Sequence, residues 1–285
     1  MNLTIAKSAG FCFGVKRAVN MVYSAIDEEN LPIYTYGPII HNDEVVKDMV
    51  SKGVTVIDNL DDLDNYEKGV IVIRSHGISK KEYDRILDSG FKILNATCPF
   101  VLKIHKYVEQ YSNDGCHIVI VGSPTHPEVC GIKGWVRENE EVSIVSDFEQ
   151  AQNFSIESGK KVCIVSQTTF NYNKFQDIVE IISQKGYDII VLNTICNATE
   201  ERQTEARTIA SQSDAMIVIG DKNSSNTQKL FEICNNECKN TYYIQTSDEM
   251  DYNKIRSINN VGITAGASTP NNIIEEVSKN VRNEL

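Results

Sequence analysis

LTIAKSAGFCFGVKRAV, residues 3–19, decides the fold because its pattern returns twice along the chain. A strand-length apolar run, Leu3–Ala6, leads into a short loop, then Cys12, then a helical stretch, Gly14–Asp27. KILNATCPFVLKIHKYV, residues 92–108, repeats that order around Cys98, ahead of a helical stretch over Pro99–Ser112. IIVLNTICNATEERQTEA, residues 189–206, repeats it around Cys196, ahead of one over Ala198–Ser211. Self-similarity at a long, steady spacing marks a repeated structural unit.

Working outward, each cysteine is followed by a second strand that ends in glycine and a polar cluster. YTYGPIIHN carries His41, VIVGSPTHPE carries His126, and IVIGDKNSSN carries Ser224, Ser225 and Asn226. His41, His126 and Ser225 lie 29, 28 and 29 residues beyond their cysteines. A later strand in each copy also ends in a polar loop: RSHGIS holds His76, SQTT holds Thr168 and TAGAS holds Ser268. Between these strands a third runs into an aspartate, in TVIDNL, SIVSDF and YYIQTSDE.

Twelve such runs are short and rich in Val and Ile, with helical stretches after many of them. Strands that are apolar on both faces and alternate with helices read as a covered parallel sheet. The expected class is therefore α/β. It takes the form of a pseudo-threefold trefoil of three small parallel-sheet units around a central cavity. The units are expected at 1–97, 98–192 and 193–285. In open α/β sheets, ligands bind beyond the carboxyl ends of the strands, and all of these polar loops lie at such ends.

Composition limits the partners. The chain has 285 residues and a net charge of −11, which opposes a nucleic-acid or anionic-membrane surface. No apolar run approaches the ~20 residues that span a bilayer, and residues 1–10 do not form a signal peptide. A cytoplasmic location is expected. Eight cysteines then read as thiols or metal ligands rather than disulfides.

Cys12, Cys98 and Cys196 each stand between a strand end and a helix start, where the helix N-terminus favours thiolate, the ligand form. A lone cysteine is usually a small buried hydrophobe; three at equivalent places in a repeat point to a shared metal. Three thiolates suit zinc or an iron–sulfur cluster. Cys163 and Cys116 are assigned to strands. Cys130 falls near the polar loop of its unit, and Cys234 and Cys238 read as free thiols on a helix. His105 and His117 read as structural.

Imidazoles at His41, His76 and His126 can donate hydrogen bonds to phosphate oxygens. Ser224, Ser225, Asn226 and Ser268 add donors ahead of helix N-termini, which favour anions, although such serines also serve as simple helix caps. Glu128, two residues after His126, is a candidate proton donor, with Thr168 to relay or orient the proton. A solvated loop glutamate is the plainer alternative.

The ordered set GFCFGVKRAV, GPIIHNDEVV, RSHGIS, NATCPFV, THPEVCG, SQTT, CNATEERQ, KNSSNT and TAGAS spans residues 10–268. It resembles the hydroxymethylbutenyl diphosphate reductases, which complete the methylerythritol phosphate route to isoprenoids. The resemblance implies a 4Fe–4S cluster with three cysteine ligands, Cys12, Cys98 and Cys196, and one open iron. It implies a diphosphate site from His41, His76, His126, Ser224, Ser225, Asn226 and Ser268. Glu128 would be the proton source, helped by Thr168 and His126, with Asn226 and Thr199 nearby. The products would be isopentenyl and dimethylallyl diphosphate, the electron donor a ferredoxin or flavodoxin, and the enzyme a monomer. Two other readings are a quinolinate-synthase-like dehydratase, which needs no external electrons, and a non-catalytic metal-binding redox sensor.

Overall fold

The computed structural model describes residues 2–157 and 159–284. Twelve strands form three four-stranded sheets in which every pairing is parallel. Each strand expected from the Val- and Ile-rich runs is present. The strands are β1 (Asn2–Ile5), β2 (Ile33–Tyr36), β3 (Thr55–Ile57), β4 (Val70–Ile73), β5 (Lys92–Asn95), β6 (His117–Val121), β7 (Val142–Val145), β8 (Val162–Ser166), β9 (Ile189–Val191), β10 (Ala215–Ile219), β11 (Thr241–Ile244) and β12 (Asn260–Ala265).

The helices are α1 (Phe13–Glu28), α2 (Asp43–Ser51), α3 (Lys80–Asp88), α4 (Pro99–Asn113), α5 (Pro127–Lys133), α6 (Phe148–Asn153), α7 (Tyr172–Ser183), α8 (Asn197–Ala210), α9 (Ser225–Glu237) and α10 (Asn271–Glu284). Several of their starts are set by side chains that satisfy the first free N–H groups. Ser79 and Glu82 form a reciprocal capping box at α3, and Asn171 caps α7. Among the described residues no helix is long and apolar enough to cross a membrane.

The sheets run β3-β2-β4-β5, β7-β6-β8-β9 and β11-β10-β12-β1. Within each, the four strands occur in the spatial order second, first, third, fourth. In the last sheet the fourth place is taken by β1, whose Leu3 and Ile5 pair with Val261 and Ile263 of β12. The repeat is therefore offset by one strand from the three stretches of sequence. The strand that precedes each cysteine closes the sheet before it, and the N-terminal strand closes the last. The central strands β4, β6, β8 and β10 are buried along their whole length, as expected where helices cover both faces.

By contact density the chain groups into two compact units. One comprises Met1–Lys16, His41–Val45 and Cys196–Leu285, and the other comprises Arg17–Ile40 and Val46–Ile195. The first contains the sheet with β1, with apolar clusters centred on Ile217, Ile263 and Val277 and on Met216 and Leu230. The second contains the other two sheets, with clusters around Ile71 and Ile86, Phe175 and Ile178, and Ile118 and Ile132.

The strand order has a functional consequence. An open parallel sheet has a crevice where the chain's direction of winding reverses, at the carboxyl ends of the two strands that flank the switch. Here those pairs are β2 and β4, β6 and β8, and β10 and β12. His41 and His76 follow the first pair, His126 and Thr168 the second, Ser224–Asn226 and Ser268 the third.

Candidate functional site

In the unit that holds β2 to β9, Cys98 is the N-cap of α4, with extended backbone (φ −58°, ψ 135°) and no side-chain capping bond. Pro99 at the first helical position removes one N–H that would otherwise lack a partner. The loop that delivers Cys98 is gripped by Arg17, which donates to the carbonyls of Thr97 and Asn95, both at 3.2 Å. The Cys98 N–H donates to the Ser75 carbonyl at 3.0 Å, tying the cysteine to the residue before His76. Gly77 allows that loop to turn: its φ is +75°, and a Cβ there would lie 2.7 Å from the His105 ring.

His76 and His126 meet ring to ring, with centroids 5.5 Å apart and planes at 79°. His126 caps α5, its Nδ1 accepting from the Glu128 N–H at 3.1 Å. A neutral imidazole that accepts at Nδ1 carries its proton on Nε2, so His126 presents a donor from that nitrogen.

Glu128 is 2% exposed. One carboxylate oxygen accepts from the Thr168 N–H at 2.5 Å and the other from the Thr168 hydroxyl at 2.7 Å. Burial raises its pKa to about 7, against the lowering effect of the two Thr168 bonds. A carboxyl balanced near neutrality is suited to giving up a proton during a reaction. The segments after β6 and β8 thus bring Glu128 and Thr168 together.

In the other unit, Cys12 immediately precedes α1. Its N–H donates to the Ala267 carbonyl at 3.2 Å, and its sulfur accepts from the Val15 N–H at 3.5 Å. Cys196 is the N-cap of α8, again without a side-chain capping bond. Thr199, buried, lies in the first turn of that helix. Ser224 caps α9 through the Thr227 N–H at 3.4 Å, so the plainer reading of that serine holds beside any ligand role.

Asn226 and Ser268 are 4% and 6% exposed, and the Asn226 amide nitrogen and the Ser268 hydroxyl have no hydrogen-bond partner among the described residues. A buried donor without an acceptor costs about 1–3 kcal/mol. Two of them at the ends of β10 and β12 mark a place for an acceptor-rich ligand. His41 is half-buried beside Asn42, which caps α2 through the Val45 N–H at 3.0 Å. Ser225 is partly exposed in the first turn of α9.

None of the eight cysteines is in a disulfide. Cys116, Cys163, Cys234 and Cys238 are buried in the core and Cys130 is exposed, its thiol 3.5 Å from the Pro124 carbonyl. His105 stacks on Trp135 at 5.0 Å, and burial lowers its pKa to about 4. His117 meets the Ser143 hydroxyl at 2.9 Å. Both have the structural surroundings expected of them.

Sequence reasoning passed over Arg17, Arg202 and Glu205. Arg202 is 4% exposed and donates to the carbonyls of Gly10 at 2.7 Å and Ala265 at 3.3 Å. Burial lowers its pKa, while Cys12, Glu205, Cys196 and Glu201 favour its charge. The buried stripe of α8, seen only once the chain is folded, runs through Thr199, Arg202, Gln203, Ala206, Ile209 and Ala210. Arginine on the inward stripe of a helix needs partners there.

Three parallel sheets of one topology, thiols at their helix starts and a buried carboxylic acid facing a hydroxyl make the frame of an α/β oxidoreductase. The chain belongs to the LytB protein family, whose profile matches residues 3–282. It is 45% identical to the 4-hydroxy-3-methylbut-2-enyl diphosphate reductase of Caldanaerobacter subterraneus, over 99% of this chain and 97% of that one. It is also 45% identical to the reductase of that name from Clostridioides difficile, over 97% and 98%. Among solved structures it matches the Plasmodium falciparum E-1-hydroxy-2-methyl-but-2-enyl-4-diphosphate reductase with a TM-score of 0.91 and 28% identity, covering 97% of this chain and 86% of that one. A second solved structure is described as (E)-4-hydroxy-3-methyl-but-2-enyl diphosphate reductase, the terminal enzyme of the non-mevalonate pathway. It matches with a TM-score of 0.71 and 38% identity, over 99% and 100%.

Proposed function

We propose that this chain reduces 4-hydroxy-3-methylbut-2-enyl diphosphate to isopentenyl and dimethylallyl diphosphate. Two electrons and two protons enter, the C–O bond to the terminal hydroxyl breaks, and water leaves. The observation that carries the reading is the buried Glu128 carboxyl held by Thr168, with a pKa near 7, in a chain that matches reductases of that substrate over nearly all of its length.

Three units at 1–97, 98–192 and 193–285, set as a trefoil about a central cavity, would turn all the polar loops toward one substrate. The common strand order of the three sheets and the likeness to solved reductases support that arrangement. Cys12, Cys98 and Cys196 would hold a 4Fe–4S cluster. Each precedes a helix, and none is in a disulfide. When bound there, such a cluster with one iron open supplies electrons singly and a Lewis acid for the departing hydroxyl.

The chain's own residues bind, orient and protonate. The Asn226 amide and Ser268 hydroxyl, buried without acceptors, donate to the diphosphate with Ser224, Ser225, His41, His76 and His126. Glu128 gives up its proton as water leaves, and the Thr168 hydroxyl holds the carboxyl in place and orients the proton. A protein electron carrier, a ferredoxin or flavodoxin, supplies the electrons. We place the enzyme in the cytoplasm as a monomer.

The test is anaerobic turnover with a chemical reductant, measured against pH. Both five-carbon diphosphates are the expected products. The sign of the pH effect follows from the raised pKa. Glu128 stays protonated well above 4.5, so turnover holds below pH 6, reaches half its maximum near 7, and falls about tenfold per unit beyond. No reduced product, or a rate that rises through pH 7, would overturn the proposal.

A further inference from the structure

The helix that begins at Cys196 also holds the loop that ends at Cys12. One turn in, Arg202 donates to the Gly10 carbonyl, two residues before Cys12. A turn further, Glu205 accepts from the Lys7 N–H at 2.8 Å, the Ser8 N–H at 2.9 Å and the Ser8 hydroxyl at 2.5 Å. Carbonyl and amide faces of one short loop are thus gripped by an adjacent cation and anion of one helix. The second guanidinium branch reaches the Ala265 carbonyl at the end of β12, in the segment leading to Ser268.

The loop is shaped for this grip. Gly10 has φ +97°, and a Cβ there would sit 2.5 Å from the Asn271 side chain, so only glycine turns the chain here. The arginine is buried without a carboxylate bonded to its guanidinium among the described residues. Its Nε has no partner. A buried cation whose bonds go only to neutral carbonyls is expensive, unless negative charge lies nearby for it to offset.

We infer that Arg202, with Glu205, is a positioning residue that fixes Cys12 and Cys196 relative to each other before a cluster binds, and that its charge offsets the negative charge of the bound, thiolate-ligated cluster. The inference rests on the proposed cluster and extends it to residues that touch neither iron nor substrate. Groups behind metal ligands commonly contribute 10–100-fold in metal affinity.

The experiment compares reconstituted wild-type protein with Arg202→Gln, Arg202→Lys and Glu205→Gln, all without substrate. Iron release to a chelator and the cluster's midpoint potential are measured. Arg202→Gln is expected to release iron about tenfold faster and to shift the potential negative, because reduction adds charge that nothing now offsets. Arg202→Lys keeps the charge and should restore the potential while still releasing iron faster. Glu205→Gln should speed release with little change in potential. A merely structural arginine would not give a potential rescued by lysine. Wild-type release and potential in Arg202→Gln overturn the inference, as does a potential shift that lysine leaves in place. Neither result touches the reductase reading, which stands on wild-type turnover; a wild-type chain that takes up no iron overturns both.

Discussion

Glu128→Gln is expected to lower turnover at least about a hundredfold, within the range lost when a general acid is removed. Glutamine keeps the shape and one carbonyl acceptor for the Thr168 N–H, and the Thr168 hydroxyl can turn to accept from the new amide. What disappears is the proton. Folding should survive. Glu128 binds its proton more tightly in the folded chain than its ordinary value of 4.5, so its ionisation destabilises the fold as pH rises from about 4.5 through 7. The neutral amide avoids that loss, on the order of 3 kcal/mol for a shift of this size. Substrate KM should move little, because the proposed diphosphate donors are other side chains. Thermal unfolding together with kcat and KM separates the cases. Near-normal kcat in a folded variant would remove Glu128 from the proton's path.

Cys196→Ser is expected to have the larger effect on the metal. Outer groups contribute 10–100-fold in metal affinity, so removing a thiolate ligand should exceed about a hundredfold. The variant should emerge with little iron and no measurable turnover. Cys98→Ser should do the same, although Cys98 is carried by a different sheet and held by Arg17 rather than Arg202. Cys130→Ser is the internal control, since its exposed thiol is not a proposed ligand. Iron and sulfide analysis, with unfolding curves to confirm the fold, checks all three. Full iron content in Cys196→Ser would exclude it as a ligand.

The strands were legible because a buried parallel strand must be apolar on both faces, and few other segments concentrate Val and Ile so densely. VIVI, HIVIV and VCIVS are buried throughout. The place of β1 was not legible. Its pairing with β12 joins residues 258 apart, and nothing local in NLTI states which sheet it will edge. The shared topology shows it only afterwards, as the fourth strand that the last sheet would otherwise lack.

The candidate site divides along the same line. Cysteines at helix starts and polar loops at strand ends could be read because local sequence fixes both positions. The Glu128–Thr168 pair spans 40 residues, and it was approached through the strand-end pattern that both share and through the family resemblance. Arg202 and Glu205 were invisible for a different reason. Charged residues on a helix are ordinarily solvated, and only the packing of α8 beside the Gly10 loop turns these two inward.

The central claim is that the three cysteines carry a redox cluster that acts on the allylic diphosphate. An anaerobic visible and EPR spectrum of the wild-type chain, with iron and sulfide analysis, taken before and after adding 4-hydroxy-3-methylbut-2-enyl diphosphate, tests it most directly. The account predicts a brown protein with about four irons and four sulfides whose signal changes when the diphosphate is added. A colourless, zinc-loaded protein, or a cluster whose spectrum ignores the diphosphate, would contradict it.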